Sequence, residues 1–204
     1  MYAPIIILGG GTFYHVRNHL SIAAPAFGTT ARWLQEQFEN SDLVLTKMAD
    51  SASSLETNAD VQKLIDQALS QKALRCIIMN VALCDYNGKI GNITSGKHAQ
   101  RLQSRAGKQQ IELTPSDKVI ASIKKRRPDV FLVGFKTTTG FSPDEQQAAA
   151  YRMISESKAD LVLANDTTTR HNLLINTKNE CLAASDNRIE VLNGLVREIK
   201  NDKQ

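Results

Sequence analysis

The stretch Asp129–Asn172, DVFLVGFKTTTGFSPDEQQAAAYRMISESKADLVLANDTTTRHN, reads as strand, loop, helix, strand, loop. Val130–Phe135 is an apolar run that stops at Lys136, and a Thr/Gly loop follows. Ser142-Pro143-Asp144-Glu145 then has the form of a helix start, with Ser142 as N-cap, Pro143 at N1 and Glu145 at N3. Ala149, Met153 and Ile154 supply the apolar face of that helix. Leu161–Ala164 is the next buried strand, ended by Asn165-Asp166. A parallel strand pair joined through a helix requires a right-handed crossover, which brings both strand ends to one edge of the sheet. Open α/β sheets bind ligands at that carboxyl edge. Phe135–Gly140 and Asn165–Asn172 are therefore expected to line one crevice.

Outward from this unit the chain keeps alternating strand and helix. Pro4–Leu8 reads as a buried strand running into Gly9-Gly10-Gly11-Thr12, and Gly28–Phe38 as a helix with Ala31, Leu34 and Phe38 inward. Leu43–Thr46 is a second strand, and Ser54–Gln71 a helix capped at Thr57 or Asn58. Leu74–Met79 is a third strand, ended by Asn80. Asn87–Arg105 is broken by glycine and serine and reads as a mobile flap. Gln109–Leu113 has strand character, and Thr114-Pro115-Ser116-Asp117 reads as the start of a helix reaching Arg127. Beyond Asn172, three strand-like pieces (Leu173–Asn176, Glu180–Ala184, Arg188–Val191) suggest a meander. A last helix covers Leu192–Asn201. The fold class is α/β: a Rossmann-like, mostly parallel sheet flanked by helices, with a small antiparallel C-terminal arm at about 167–191. With no repeat or linker, residues 1–204 form one domain.

Composition narrows the function classes. The 204 residues hold no apolar run near the ~20 needed to span a bilayer, so no membrane partner is expected. The start has no basic leader, and Cys76, Cys84 and Cys181 are odd in number and far apart. Reduced cytoplasmic thiols are expected rather than disulfides or a zinc site, and no metal ligands are assigned. The one basic run, Lys124-Lys125-Arg126-Arg127, complements a helix C-terminus and has no interleaved aromatics. It reads as a solvated cap, and nucleic acid is not an expected partner. Gly9–Thr12 reads as either a phosphate loop or a tight turn. The third position of a dinucleotide fingerprint is Tyr14, and no acid follows the second strand, which argues against a nicotinamide reductase.

In order, the motifs are GGT…VR…G, then VALCDY at 81–86, RLQS at 101–104, VGFKTTT at 133–139 and ADLVLAND at 159–166. Together they resemble the phosphopantothenate–cysteine ligase (phosphopantothenoylcysteine synthetase) family, from Ile7 to about Ala184 and without a flavin decarboxylase part. The resemblance implies a cytoplasmic homodimer, made partly by the C-terminal strands. It also implies CTP or ATP with Mg²⁺, 4′-phosphopantothenate and cysteine as substrates, joined through an acyl-nucleotidylate.

Gly10, Gly11 and Thr12 match the family's GGT, and Arg17 its VR arginine. Ala82 and Asp85 match the segment that meets the nucleotide or pantothenate part, and Phe135 the phenylalanine that packs on the base, next to Lys136. Asn165 and Asp166 match the loop after the last core strand, and Arg152 falls where members place a phosphate-binding lysine. A triphosphate calls for backbone donors and fixed cations, since charge develops on phosphoryl oxygens during transfer.

Two positions depart from the pattern. Ser21 stands where the family has the asparagine that holds the acyl-nucleotidylate, with Asn18 nearby as a substitute. Arg101 stands where the flap opens with lysine, keeping charge but changing reach. Asn18, Ser21 and Arg101 are the candidate catalytic residues. The departures leave open a non-catalytic binding homologue, or a ligase for a related acid–amine pair. His15 and His19 read as loop histidines able to bind phosphate or move a proton, and Lys97 and His98 as solvated flap residues. Trp33 and Phe38 read as core.

Overall fold

A computed structural model describes residues 3–202. Its main sheet has the order β10 (Cys181–Ser185), β9 (Asn172–Asn176), β8 (Leu161–Asp166), β7 (Phe131–Thr138), β4 (Cys76–Ala82), β1 (Ile5–Arg17), β2 (Leu20–Ala24), with β3 (Ser41–Leu45) also paired to β1. The parallel part is β3, β1, β4, β7 and β8. Antiparallel strands extend both sides: β2 on β1, and β9 then β10 on β8. A separate two-stranded sheet joins β5 (Tyr86–Lys89) to β6 (Glu112–Pro115).

The period-2 alternation of the strands sorts the core into two layers. Ile6, Leu8, Ile77, Met79, Leu132 and Val162 face α2 (Asn58–Leu69), α3 (Ile120–Arg126) and α4 (Pro143–Ser157). Ile5, Ile7, Ile78, Val133, Leu161 and Leu163 face α1 (Thr29–Gln35) and α5 (Arg188–Asn201). Phe38 is buried in the second layer and Trp33 packs on it. No helix among the described residues is long and apolar enough to cross a membrane.

The strand–helix–strand unit forms as its caps dictate. Ser142 accepts from the Glu145 N–H, the Glu145 carboxylate accepts from the Ser142 N–H, and Pro143 takes the first turn. At α2 the cap is Thr57, with Asp60 closing the same reciprocal box.

Several expectations change. The glycines do not end the first strand, which runs on through Gly9–Thr12 to Arg17. Thr12-Phe13-Tyr14 and Val16 favour extended backbone, and the second half finds a new partner in β2, inside what reads as a loop. Thr114 and Pro115 lie in β6 instead of opening a helix, because an edge strand tolerates a residue without an N–H. Arg188–Val191 is the first turn of α5, capped by Asn187, not a strand. The C-terminal strands continue the main sheet, so Leu173, Ile175 and Val191 are buried within the chain, and only Leu182 and Ile189 of the expected apolar set stay exposed. The basic run is tied down as well. Lys124 pairs with Asp160 at 2.6 Å, and Arg127 donates to the carbonyl of Leu69, the last residue of α2, and to those of Gln71 and Leu74 in the loop that follows. Arg127 also holds the Asp129 carboxyl down at about 2.

Candidate functional site

Thr12 is the fixed point of the carboxyl edge. Its buried hydroxyl donates to Asn58 Oδ1 at 2.7 Å and lies 3.2 Å from the Ala82 carbonyl, while the Cys84 N–H donates to it at 3.0 Å. One side chain thus joins β1, the start of α2 and the exit of β4. Burial raises the Cys84 thiol above its ordinary range, against hydrogen bonding to Thr12, so it sits there as a neutral packing group.

Gly10 and Gly11 lie at the point where β1 exchanges β3 for β2. Gly10 has φ 99°, and a Cβ there would meet Thr46 Oγ1 at 2.2 Å. A Cβ on Gly11 would stand 2.1 Å from the Ala24 carbonyl and 2.7 Å from the Ala26 nitrogen. These glycines are therefore required by the chain's own approach to β1.

At the other end of the edge, Asp166 is 2% exposed. Its Oδ1 accepts from the N–H groups of Gly140, Thr168 and Thr169, each at 2.9 Å. Its Oδ2 accepts from the Phe141 N–H and the Thr138 hydroxyl. Burial opposes the charge, but these bonds overcome it and hold the carboxyl far below the usual carboxylate range. The two loops expected to line one crevice are thus fastened together by Asp166. Phe135 is half-buried, Lys136 is exposed, and Asn165 accepts weakly from Thr137 at 3.4 Å.

Arg17 is 1% exposed and donates to the carbonyls of Val16, Ile90 and Ile93, with Nε unpartnered. Asn18, in the β1–β2 turn, binds the flap through Asn18 N to the Ala99 carbonyl and Nδ2 to the Lys97 carbonyl. The middle of the flap, at residues 97–99, is thus held by the hairpin. Ser21 is exposed on β2 and bonds His15 across the strand pair at 2.8 Å. The Asp85 side chain is 70% exposed and pairs with Lys118. Arg101 is exposed in a shallow depression lined by flap residues Gln100–Arg105 alone. Arg152 is exposed on α4, opposite the face that buries Ala150 and Ile154 and more than two turns from its start. Ala82, Asn165 and Asp166 share the edge; Phe135 lies inside β7, opposite Leu163 and packed against the core, because β7 runs on to Thr138, and Arg101 and Arg152 are not brought to the edge.

A cavity of about 660 Å³ opens beside Thr12, between β1, the start of α2, β5 and the flap, lined in part by His15, Glu56, Asn58, Ser95 and Lys97. Glu56 is 16% exposed and receives Lys97 from the flap, with Lys47 at 3.9 Å and His15 Nε2 at 3.5 Å. The hydrogen bond from Lys97, against the opposing effect of burial, lowers the Glu56 carboxyl from its ordinary value. His15 lies on β1 and not in the expected loop, and Glu56 carries no motif in the sequence. The run Thr12–Val16 carried the strand signal that would have extended β1 to His15; nothing local marks Glu56. No cluster of three His, Cys, Asp or Glu able to hold a metal occurs among the described residues.

These features define a Rossmann-like α/β protein with its polar, ligand-sized groups gathered at the carboxyl ends of parallel strands. The chain belongs to the family of the DNA/pantothenate metabolism flavoprotein C-terminal domain, whose model matches residues 41–198. The resemblance to phosphopantothenoylcysteine synthetase domains drawn from the sequence is borne out. It is 30% identical over 138 residues to the coenzyme A biosynthesis bifunctional protein CoaBC of Thermococcus kodakarensis, covering 64% of this chain and 32% of that protein. The chain thus matches about a third of that relative's length. The DNA/pantothenate metabolism flavoprotein of Streptococcus pneumoniae has the same fold, with TM-score 0.78 at 17% identity over 98% of this chain and 99% of that one. A Cab2 mutant in complex with phosphopantothenate-cysteine superposes with TM-score 0.63 at 14% identity, over 98% of this chain and 88% of that one. The residues from Gly10 to Ser21, which contain both the glycine run and a departure from the family pattern, lie outside the matched segment.

Proposed function

We propose that the chain is a cytoplasmic, nucleotide-dependent ligase that joins 4′-phosphopantothenate to cysteine. The family match across residues 41–198 carries this reading. A magnesium-bound CTP or ATP is the co-substrate. The substrate carboxylate attacks its α-phosphate and releases pyrophosphate, and the amine of cysteine then opens the acyl-nucleotidylate. Phe135 stacks on the base, with Lys136 next to it on β7 and Asn165 near the end of β8. Asp85 and the Ala82 backbone meet a ribose or pantothenate hydroxyl, and Arg101 reaches phosphate oxygens when the flap closes to keep water from the mixed anhydride. Gly10–Thr12, Arg17 and Arg152 serve the triphosphate only after rearrangement, because two of these groups are already engaged within the chain. A homodimer belongs to the same proposal.

The burial of Arg17 on backbone carbonyls and the covered glycines favour one second reading: a homologue that binds these ligands without chemistry. The test is pyrophosphate release with 4′-phosphopantothenate, Mg²⁺ and each nucleotide, with and without cysteine. Release with one nucleotide supports the ligase, and bound ligands without release support the binding homologue. Asp85→Asn, which removes a hydrogen bond to a charged group, is expected to weaken ligand affinity roughly ten- to a hundredfold in a folded protein.

A further inference from the structure

We infer that the cavity between β1, the start of α2 and the flap receives the amine to be acylated, with Glu56 holding its ammonium and His15 Nε2 taking the proton it must lose. The inference rests on the ligase reading and adds two residues that reading does not use.

Glu56 is already an ammonium receptor. Its largely buried carboxylate holds Lys97 Nζ, a primary ammonium delivered on a flexible stem from the flap. The Lys97 side chain is 49% exposed while Glu56 is 16% exposed, so Lys97 is the partner that leaves toward solvent when a soluble ammonium takes its place. Lys97 then acts as a tethered occupant that an amine substrate displaces. Ser54, Asn87, Ser95 and Ser116 add hydroxyl and amide groups to the lining, and Asp60 and Asp117 add acidic ones, a setting that suits a small ammonium compound. Asn58 is both cavity wall and acceptor for Thr12, which puts the amine next to the carboxyl edge.

His15 is held for the task. Its Nδ1 bonds Ser21 Oγ at 2.8 Å, and the Phe13 ring lies stacked at 6.1 Å between centroids. Its Nε2 is buried and hydrogen-bonds nothing in the chain. With the ring proton on Nδ1, donated to Ser21, Nε2 keeps its lone pair on the Glu56 side, 3.5 Å from Oε1. The charged groups around it are Glu56 and, beyond it, Lys47 and Lys97.

The step balances. An ammonium has no lone pair, so it gives one proton to Nε2, and the imidazolium formed is stabilised by Glu56 Oε1. The amine nitrogen attacks the acyl carbon and a C–N bond forms. The bond from that carbon to the phosphate oxygen breaks, its electron pair leaving with the nucleoside monophosphate. The second N–H proton passes to water, and His15 returns its own proton to solvent.

The experiment has two arms on the full chain. In the first, histidine ring resonances are followed while L-cysteine is added. Cysteine is expected to shift His15 in the wild type and to leave it in place in Glu56→Gln; an unmoved His15 at saturating cysteine in the wild type overturns the pocket. In the second, the acyl-nucleotidylate is formed and its capture by amine is timed. His15→Gln is expected to slow capture of cysteine on the order of 100-fold, with partial rescue by added imidazole. Hydroxylamine, which is already neutral near pH 7, should be captured within a few-fold of the wild-type rate. A His15→Gln protein that captures cysteine at the wild-type rate overturns the role of His15. Absence of pyrophosphate from the wild type defeats the ligase reading instead, and the resonance shift then decides the amine pocket by itself.

Discussion

The Asp166 carboxylate, with five donors turned toward it, has its lone pairs filled by the chain. It acts on the site through the loops it joins, Thr138–Phe141 and Thr167–Thr169. Asp166→Asn keeps the shape but reverses half the hydrogen-bonding sense and removes the charge, so it should lower the melting temperature at neutral pH. The sign of the pH dependence follows from the depressed folded-state pKa. The stabilisation is complete above the ordinary aspartate range and is lost as pH falls through and below it. Melting curves of both proteins should therefore show a gap that is widest near neutrality and narrows in acid. A gap independent of pH would make the effect steric.

At the scale of the element, β1 governs the site. Its first half is a buried parallel strand and its second half the inner strand of a hairpin that carries His15, Arg17 and Asn18 to the flap. The change of partner happens at Gly10–Gly11, where segments 24–26 and 46–49 press on the strand. Gly11→Ala sets a methyl group 2.1 Å from a backbone oxygen that cannot rotate away. The hairpin must shift, and overpacking of this kind costs about 1–3 kcal/mol. Denaturant unfolding at constant m-value is the measurement. The same variant should lose cavity-dependent activity, because His15 moves with the hairpin, whereas a change without effect on stability would mean that the two loops give way freely.

The whole molecule leaves its apolar surface unevenly distributed. Leu20, Tyr86, Ile93, Ile111 and Leu113 are exposed around the hairpin and the β5–β6 sheet, with Ile22 and Ile111 meeting over Gly88. Among the described residues, the C-terminal edge shows only Leu182 and Ile189 as exposed large apolar side chains. The proposed homodimer is therefore expected to use the β1–β2/β5–β6 end. In sedimentation at micromolar concentration, Leu113→Lys should convert the dimer to monomer and Leu182→Lys should not. The opposite result would restore the C-terminal strands as the contact, and a wild-type monomer would remove the dimer.

What the sequence determined was local. Runs of apolar residues, the Ser142 and Thr57 caps and Pro143 specify strand and helix within a few residues, because capping and amphipathic burial act over one turn or one pleat. That suffices for a parallel sheet, but β7 runs past Phe135 to Thr138, because the β-branched Thr137 and Thr138 keep the backbone extended and pair with Asn165 and Asp166. The tertiary structure decided what happens after Gly9. Whether a glycine run turns or continues depends on what packs above it, and that is set by segments 24–26 and 46–49. It also decided that Arg17 is spent on flap carbonyls and that Glu56 meets Lys97, which lie 41 residues apart. Side-chain pairing across such separations follows from how the hairpin, the helix start and the flap converge in space, and no pattern of neighbours along the chain encodes it.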